Sequence, residues 1–276
     1  MTEARISLVD STSCQLGEGA FWQEAAGCLW WVDIRGASLF RHWPARQHTR
    51  RWSFPDWITR VIPVHGTDDR ARATMHSALG LLDLSGEEPK FSVMHELAQD
   101  GMRFNDGQVD PDGRWWAGTM RVAEDTPVGQ WLRFSASDGS PQVMAEGFTV
   151  TNGPCFDTNS NHVYLTDSAA QIIVRGDYDP VLGVKGLKPW RQFDAGHGYP
   201  DGMTMGPDGL LWIAFWDGAC LRGLDVAGSV VREISLPVQR PTSIAFASAN
   251  LAYVTSAACG LETDGWQGCT LAVSLA

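Results

Sequence analysis

The sequence has no long hydrophobic run and few basic residues. Among its 276 residues, no stretch approaches the ~18 apolar residues that a membrane-spanning helix requires. The N-terminal segment MTEARISLVDSTS lacks the apolar core of a signal peptide, so we expect a cytoplasmic protein. The 21 Lys and Arg residues are outnumbered by 32 Asp and Glu residues, for a net charge of −11. This charge opposes long-range attraction to nucleic acids and anionic membranes, and we expect neither as a partner.

Cysteine pairs and long helical patterns are missing as well. The six cysteines form no CxxC pair, and no histidine lies at zinc-finger spacing, so we predict reduced and mostly buried thiols. Helical periodicity is scarce, and the best short candidate is HELAQD at residues 95–100. Instead, 14 Pro and 29 Gly separate many short strand-like segments. The composition therefore predicts an all-β protein without an internal linker.

Common catalytic motifs are also absent. The chain has no Walker loop and no dinucleotide-binding glycine motif, and Ser11, Ser13 and Ser168 lack a GxSxG setting. His197, in GHGYPDG, fits a surface loop better than a catalytic position. A nucleotide-dependent enzyme and a serine hydrolase are therefore both disfavoured.

Aromatic residues recur in look-alike segments, at spacings of 86, 48, 48 and 41 residues: Trp30, Trp116, Tyr164, Trp212 and Tyr253. A unit without an aromatic residue, near Ala73, fits the first and double-length gap. Turns of the Asp-Gly type, as in VDPDGRWW and MGPDGLLW, indicate hairpins within the units. Short strands repeated at about 40 to 50 residues are typical of the four-stranded blades of a β-propeller.

Six such units predict a single domain, residues 1–276, folded as a six-bladed β-propeller. A sandwich or a large barrel would not explain the even spacing. We expect the N-terminal segment ARISLVD to pair with the last blade, because this pairing leaves no strand edge open.

Four residues with oxygen-bearing side chains share one position in the repeat. Each lies 11 or 12 residues before one of the recurring aromatics: Glu18, Asn105, Asn152 and Asp201. Asn-Gly and Asp-Gly are ordinary turn sequences, but Glu18 has no such explanation. If the units surround an axis, all four side chains can face one spot, and two carboxylates with two amides suit a hard cation. The equivalent positions in the other two units lie near Thr242 and near Thr59 and Arg60.

Several segments in the same order resemble the SMP-30/gluconolactonase/luciferin-regenerating-enzyme family, which includes regucalcin. They run from residue 16 to about residue 257: LGEGAFW, LWWVDIRG, RFNDGQVDPDGRWWAGTM, TNGPCFDTNSNHVYLTDS, GYPDGMTMGPDGLLWIAFWDG and RPTSIAFASANLAYVTS. The resemblance implies a six-bladed propeller with one catalytic divalent metal held by Glu18, Asn152 and Asp201. It also implies substrate contacts from Arg103 and Asn105.

One family feature is altered in this sequence. Relatives often carry an acidic residue, a sugar-hydroxyl contact, soon after the GTM segment. Here Arg121 follows that segment, and the nearest acids are Glu124 and Asp125. Glu124 is therefore our candidate for this substrate contact.

Family members commonly hydrolyse sugar lactones to aldonic acids, and the candidate residues suit that chemistry. A divalent ion can polarise the lactone carbonyl and activate water, while Asp201 accepts a proton as general base. We expect a sugar lactone as the small-molecule partner, a monomer, and one ion from among Ca²⁺, Zn²⁺, Mn²⁺, Mg²⁺ and Fe²⁺. Two alternatives stay open: an organophosphate or aryl-ester hydrolase with the same metal site, and a non-enzymatic calcium-binding regulator.

Overall fold

Strands make up nearly all the regular structure in the computed structural model. It describes residues 4–135, 140–194, 196–262 and 264–275. In these ranges, the elements other than strands are two 3₁₀ turns, Glu24–Ala26 and Pro44–Arg46. Across the same residues, no helix is long and apolar enough to cross a bilayer. The prediction of an all-β protein is therefore confirmed.

The strands are grouped in six sheets of four, here numbered I to VI. Sheet I contains β2 (Gly17–Gln23), β3 (Cys28–Asp33), β4 (Ser38–Trp43) and β5 (His48–Ser53). Sheet II contains β6 (Ile58–Pro63), β7 (Arg70–Met75), β8 (Ala78–Asp83) and β9 (Lys90–Glu96). Sheet III contains β10 (Met102–Val109), β11 (Trp115–Arg121), β12 (Gly129–Phe134) and β13 (Pro141–Phe148).

Sheets IV to VI complete the set. Sheet IV contains β14 (Thr151–Asp157), β15 (His162–Asp167), β16 (Ile172–Asp179) and β17 (Gly183–Gln192). Sheet V contains β18 (Tyr199–Met205), β19 (Leu211–Trp216), β20 (Cys220–Leu224) and β21 (Val230–Ser235). Sheet VI contains β22 (Pro241–Ser248), β23 (Leu251–Ser256), β24 (Thr270–Ser274) and β1 (Arg5–Asp10).

The six predicted units correspond to these six sheets. All five recurring aromatics, and Ala73 in sheet II, lie on the strand that pairs with the first strand given above for their sheet, which is β23 beside β22 in sheet VI. The N-terminal strand β1 pairs antiparallel with β24, from Arg5 opposite Ser274 to Asp10 opposite Thr270. The predicted closure of the last unit by the N-terminal segment is confirmed.

The described residues divide into two compact units. Unit 1 contains residues up to Val61 and from Gly196 onward, and unit 2 contains residues from Ile62 to Asp194. Sheets I, V and VI belong to unit 1, sheets III and IV belong to unit 2, and the dividing line falls within β6. One domain over residues 1–276 stays a prediction.

Each unit has a core of aromatic and aliphatic side chains. In unit 1, Trp31 stacks on Phe40 with ring centroids 5.0 Å apart, and Trp212 packs with Leu221 and Val254. In unit 2, Trp116 and Trp131 pack among aliphatic residues of sheet IV. Burial of each large side chain contributes about 1.5–3 kcal/mol, so the sheets are stiff supports for the residues on their first strands.

The best short helical candidate in the sequence, HELAQD, is not a helix. His95 and Glu96 end β9, opposite Leu79 and Ala78 of β8. A helix of six residues has too few internal hydrogen bonds to offset the cost of nucleation, whereas pairing with β8 satisfies the backbone directly.

Candidate functional site

The four candidate oxygen ligands lie on the first strands of four sheets, and each lies at a β-bulge. In sheet I, Glu18 faces Val32 and Phe21 faces Trp30, so the first strand carries one extra residue. The same shift occurs between Phe104 and Gly107 in β10, between Asn152 and Cys155 in β14, and between Pro200 and Met203 in β18. A bulge locally redirects side chains, so a repeated bulge gives these positions a repeated geometry.

In unit 1, β22 lies between the strands that carry Glu18 and Asp201. The Thr242 hydroxyl donates to the carbonyl of Gly17, the residue before Glu18. On the other side, a Cβ on Gly202 would lie 2.7 Å from the Thr242 carbonyl oxygen, so only glycine permits this close approach. Thr242, predicted as the equivalent position in the last unit, therefore holds the two carboxylate-bearing strands in place.

The two candidate carboxylate ligands of unit 1 differ in solvent exposure. Asp201 is only 5% exposed, and Glu18 is half-buried. The backbone amide of Ala20 donates to the Ser243 hydroxyl at 3.1 Å, which fixes the bulge after Glu18. A buried carboxylate such as Asp201 is costly unless hydrogen bonds or a cation compensate its charge.

Arg60 lies beside Gly19, the residue after Glu18, in the same unit. Its Nη1 atom is 2.9 Å from the position that a Cβ on Gly19 would occupy, and Gly19 has a φ of +65°. Thr59 and Arg60 are both buried on β6, the first strand of sheet II. The structure thus brings a guanidinium close to Gly19, the residue that follows the candidate ligand Glu18.

In unit 2, a chain of hydrogen bonds joins the remaining candidates. Arg103 Nη1 donates to Asn105 Oδ1 at 2.6 Å, and Asn105 Nδ2 donates to Asn152 Oδ1 at 3.1 Å and to the Thr151 carbonyl at 2.8 Å. Asn152 Nδ2 donates to the Ser168 hydroxyl at 2.8 Å. These contacts orient the Asn152 amide so that its oxygen lies on the Asn105 side.

Glu124 lies near this chain. Its Oε1 atom is 3.6 Å from Arg103 Nη2, and its side chain is 48% exposed while that of Arg103 is 5% exposed. Arg121 instead pairs with Asp125 at 2.9 Å. Glu124 therefore lies beside a predicted substrate contact, with part of its carboxyl group open to solvent.

Other predictions from the sequence can also be compared with the structure. His197 is exposed, and its carbonyl accepts a hydrogen bond from Arg222, in keeping with a loop residue. All six cysteines lie among the described residues as thiols rather than disulfides, as predicted, and five of them are buried.

Known proteins give an independent comparison. The model of the SMP-30/gluconolactonase/LRE-like region matches residues 16–258. The chain belongs to this family. Two relatives of this chain are a pentonolactonase of Haloferax volcanii and a 6-deoxy-6-sulfogluconolactonase of Pseudomonas putida. The first is 30% identical and covers 95% of this chain and 88% of its own length. The second is 32% identical and covers 87% and 83%.

Solved structures support the fold. The crystal structure of a calcium-binding protein, regucalcin, from Agrobacterium tumefaciens matches with a TM-score of 0.88 and 23% identity, over 98% of this chain and 94% of that one. The chain has the six-bladed β-propeller fold that its sequence repeats predict.

The donor types of the candidate ligands suit a hard divalent cation. Glu18 and Asp201 offer two carboxylates and Asn152 an amide oxygen, which are the donors that such ions prefer. Among the described residues, no group of three or more His, Cys, Asp and Glu side chains comes together. The candidate donor set therefore includes an amide oxygen as well as two carboxylates.

Sequence reasoning missed the roles of two serines. The sequence offers Ser168 only as a candidate nucleophile, yet its hydroxyl accepts a hydrogen bond from the Asn152 side-chain amide, and the Ser243 hydroxyl accepts one from the backbone amide of Ala20. A usable signal exists for Ser168, because it directly follows the strand that pairs with the strand of Asn152.

Proposed function

We propose that this chain is a divalent-metal-dependent hydrolase that opens the ester ring of sugar lactones to give aldonic acids. The observation that carries the proposal is the shared bulge position of Glu18, Asn152 and Asp201 on the first strands of three sheets. Two relatives carry lactonase names, which supports hydrolysis of a lactone by an enzyme of this type.

Glu18, Asp201 and Asn152 would hold one cation through their side-chain oxygens. Their two negative charges match the charge of a divalent ion, and three protein ligands leave coordination positions for other groups. When bound, such an ion supplies Lewis acidity to the lactone carbonyl and lowers the pKa of water. Ca²⁺, Zn²⁺, Mn²⁺, Mg²⁺ and Fe²⁺ all accept these donors, and the name of the calcium-binding relative favours testing Ca²⁺ first.

Asp201 is the general base in this proposal. Its carboxylate accepts a proton as the oxygen of water forms a bond to the carbonyl carbon. The ring C–O bond then breaks, and the departing oxygen takes up the proton held by Asp201 to become a hydroxyl of the open acid. Nearly complete burial of Asp201 keeps bulk water from competing for the carboxylate.

Arg103 and Asn105 would orient the sugar. Both Nδ2 hydrogens of Asn105 are used by Thr151 and Asn152, so Asn105 would meet a sugar hydroxyl through the remaining lone pair of Oδ1. Glu124 is half-exposed and lies 3.6 Å from the Arg103 guanidinium, and its carboxylate would accept a hydrogen bond from a second sugar hydroxyl. Such a polar set suits a polyhydroxylated substrate better than an aryl ester, which would ask for apolar walls.

A lactone panel tests this function. Protein stripped with a chelator is assayed by pH-stat on arabino-, xylono-, glucono-, galactono- and fucono-lactones, with an aryl ester and an organophosphate as comparators. We expect no turnover without metal, recovery with one of the five ions, and preference for lactones. Turnover only of the comparators would favour the aryl-ester or organophosphate alternative. Metal binding without turnover of any compound would favour a calcium-binding regulator.

Monomeric state, cytoplasmic location and the expected lack of nucleic-acid and membrane partners stay predictions.

A further inference from the structure

Two buried aspartates occupy the same place in two sheets, next to two of the candidate metal ligands. Asp33 ends β3 and pairs with Gly17, the residue before Glu18. Asp167 ends β15 and pairs with Thr151, the residue before Asn152. Asp33 is 6% exposed and Asp167 is 5% exposed, so both carboxyl groups are shielded from water.

Asp33 anchors the segment that leads into β2. Its Oδ2 atom accepts the backbone amide of Gln15 at 3.0 Å, and its Oδ1 atom accepts the amides of Leu16 and Gly36, both at 3.0 Å. A Cβ on Gly36 would lie 2.2 Å from Oδ2, so the following turn is closed tightly over the carboxylate. One side chain thus joins the β3–β4 turn to the two residues immediately before Gly17 and Glu18.

Asp167 makes the same arrangement before β14. Its Oδ2 atom accepts the backbone amide of Thr149 at 2.7 Å, and its Oδ1 atom accepts the amides of Val150 at 3.1 Å and Ala170 at 3.3 Å. The next residue, Ser168, accepts the side-chain amide of Asn152 at 2.8 Å. Asp167 and Ser168 together hold both the backbone before Asn152 and its side chain.

This arrangement is specific to these two sheets among the four that carry candidate residues. In sheet III, the residue before Asn105 pairs with Thr119. In sheet V, the residue before Asp201 pairs with Phe215. Neither can accept three backbone amides through a carboxylate. Sheets III and V form with Thr119 and Phe215 at this position, so a four-stranded sheet here does not require an aspartate.

We propose that Asp33 and Asp167 are positioning residues for the metal centre, acting on Glu18 and Asn152 through the backbone that precedes each ligand. The proposal rests on the proposed function, since it assumes that these ligands hold an ion. Two or three hydrogen bonds to a charged acceptor fix a strand end far more firmly than a neutral turn would. Outer residues that orient metal ligands typically contribute about 10- to 100-fold to metal affinity.

The test compares metal affinity with stability in matched variants. Asp33→Asn and Asp167→Asn keep one acceptor oxygen, and Asp33→Ala and Asp167→Ala keep none. The control is Asp110→Asn, because Asp110 is 3% exposed and accepts the backbone amides of Asp112 and Arg114 at the other end of β10. Binding of Mn²⁺ and of Ca²⁺ to chelator-stripped protein is measured by calorimetry, well below the unfolding temperature of every variant.

We expect the Asn variants at Asp33 and Asp167 to bind metal about tenfold more weakly and the Ala variants more weakly still. The control should lower the unfolding temperature and leave the metal Kd unchanged. Equal weakening in the control, or wild-type affinity in all four test variants, would overturn the positioning role. If wild-type protein binds neither these two ions nor Zn²⁺, Mg²⁺ or Fe²⁺, the proposed metal centre is wrong, and the positioning role is lost with it.

Hydrogen exchange on the wild-type protein covers the case in which variants do not fold. If the hydrogen bonds to Asp33 and Asp167 favour metal binding, metal binding must in turn favour those hydrogen bonds. Mn²⁺ should therefore slow amide exchange at Gln15, Leu16, Thr149 and Val150. The amides of Asp112 and Arg114 serve as the control and should not respond. No metal-dependent slowing in the first group, or equal slowing in both, would contradict the inference.

Discussion

Replacement of Asp201 by asparagine isolates the proposed general base with little change in shape. The amide is nearly isosteric with the carboxylate. The backbone on either side is held by strand pairing that does not involve the side chain, Pro200 with Phe215 and Met203 with Ile213. Replacing a buried charge by a neutral group also removes a desolvation cost. We therefore expect the metal-free variant to unfold within a few degrees of wild type, since about 1 kcal/mol moves the midpoint by about 2–4 °C in chains of about 150–250 residues.

The effect on turnover should be far larger. A positioned general base contributes about 10²- to 10⁴-fold to the rate, equivalent to about 3 to 5 kcal/mol of barrier. Asp201 is also a proposed ligand, so kcat is measured in a pH-stat at metal concentrations raised until the rate no longer increases. Under those conditions, weaker metal binding cannot explain a lower kcat.

A matched control lies in the same hairpin. Asp208 is exposed and accepts Trp212 Nε1 at 3.1 Å in the β18–β19 turn, far from the bulge of β18. Asp208→Asn should keep wild-type kcat within about threefold, a barrier change below about 1 kcal/mol. A kcat for Asp201→Asn within the same range, at saturating metal, would refute the assignment of the base.

Three further predictions test the metal site, the core and the thiols. Glu18→Gln should weaken metal binding by about tenfold or more, about 1.4 kcal/mol, because one of two ligand charges is lost; unchanged affinity in a calorimetric titration would count against it. Trp131→Ala, at a fully buried position, should destabilise the fold by about 3–5 kcal/mol in urea denaturation, and a loss below about 1 kcal/mol would contradict the packing. Burial raises the pKa of the Cys220 thiol to about 11, so at pH 8 Ellman's reagent should label the half-buried Cys259 well before Cys220; equal rates would be the contrary result.

Periodic features of the sequence predicted the architecture well. The spacing of Trp30, Trp116, Tyr164 and Trp212 reflects side chains that repeat with each sheet, and such periodicity is visible without coordinates. The same register indicated Glu18, Asn152 and Asp201, because residues at equal distances before equivalent strands occupy equivalent places. Local propensity was less useful at HELAQD, where pairing with β8 decided the conformation.

By itself, the sequence determined the class of fold, the number of repeats and the candidate residues for a hard-cation site, since all three follow from spacing and side-chain chemistry. Only the tertiary structure decided how those residues are held. The bulge at each site, the contacts of Thr242 with Gly17 and Gly202, and the hydrogen bonds from Arg103 through Asn105 to Asn152 join segments far apart in the chain. Such contacts depend on how closely the strands pack in the folded chain. The spacing of residue types along the sequence does not give those distances.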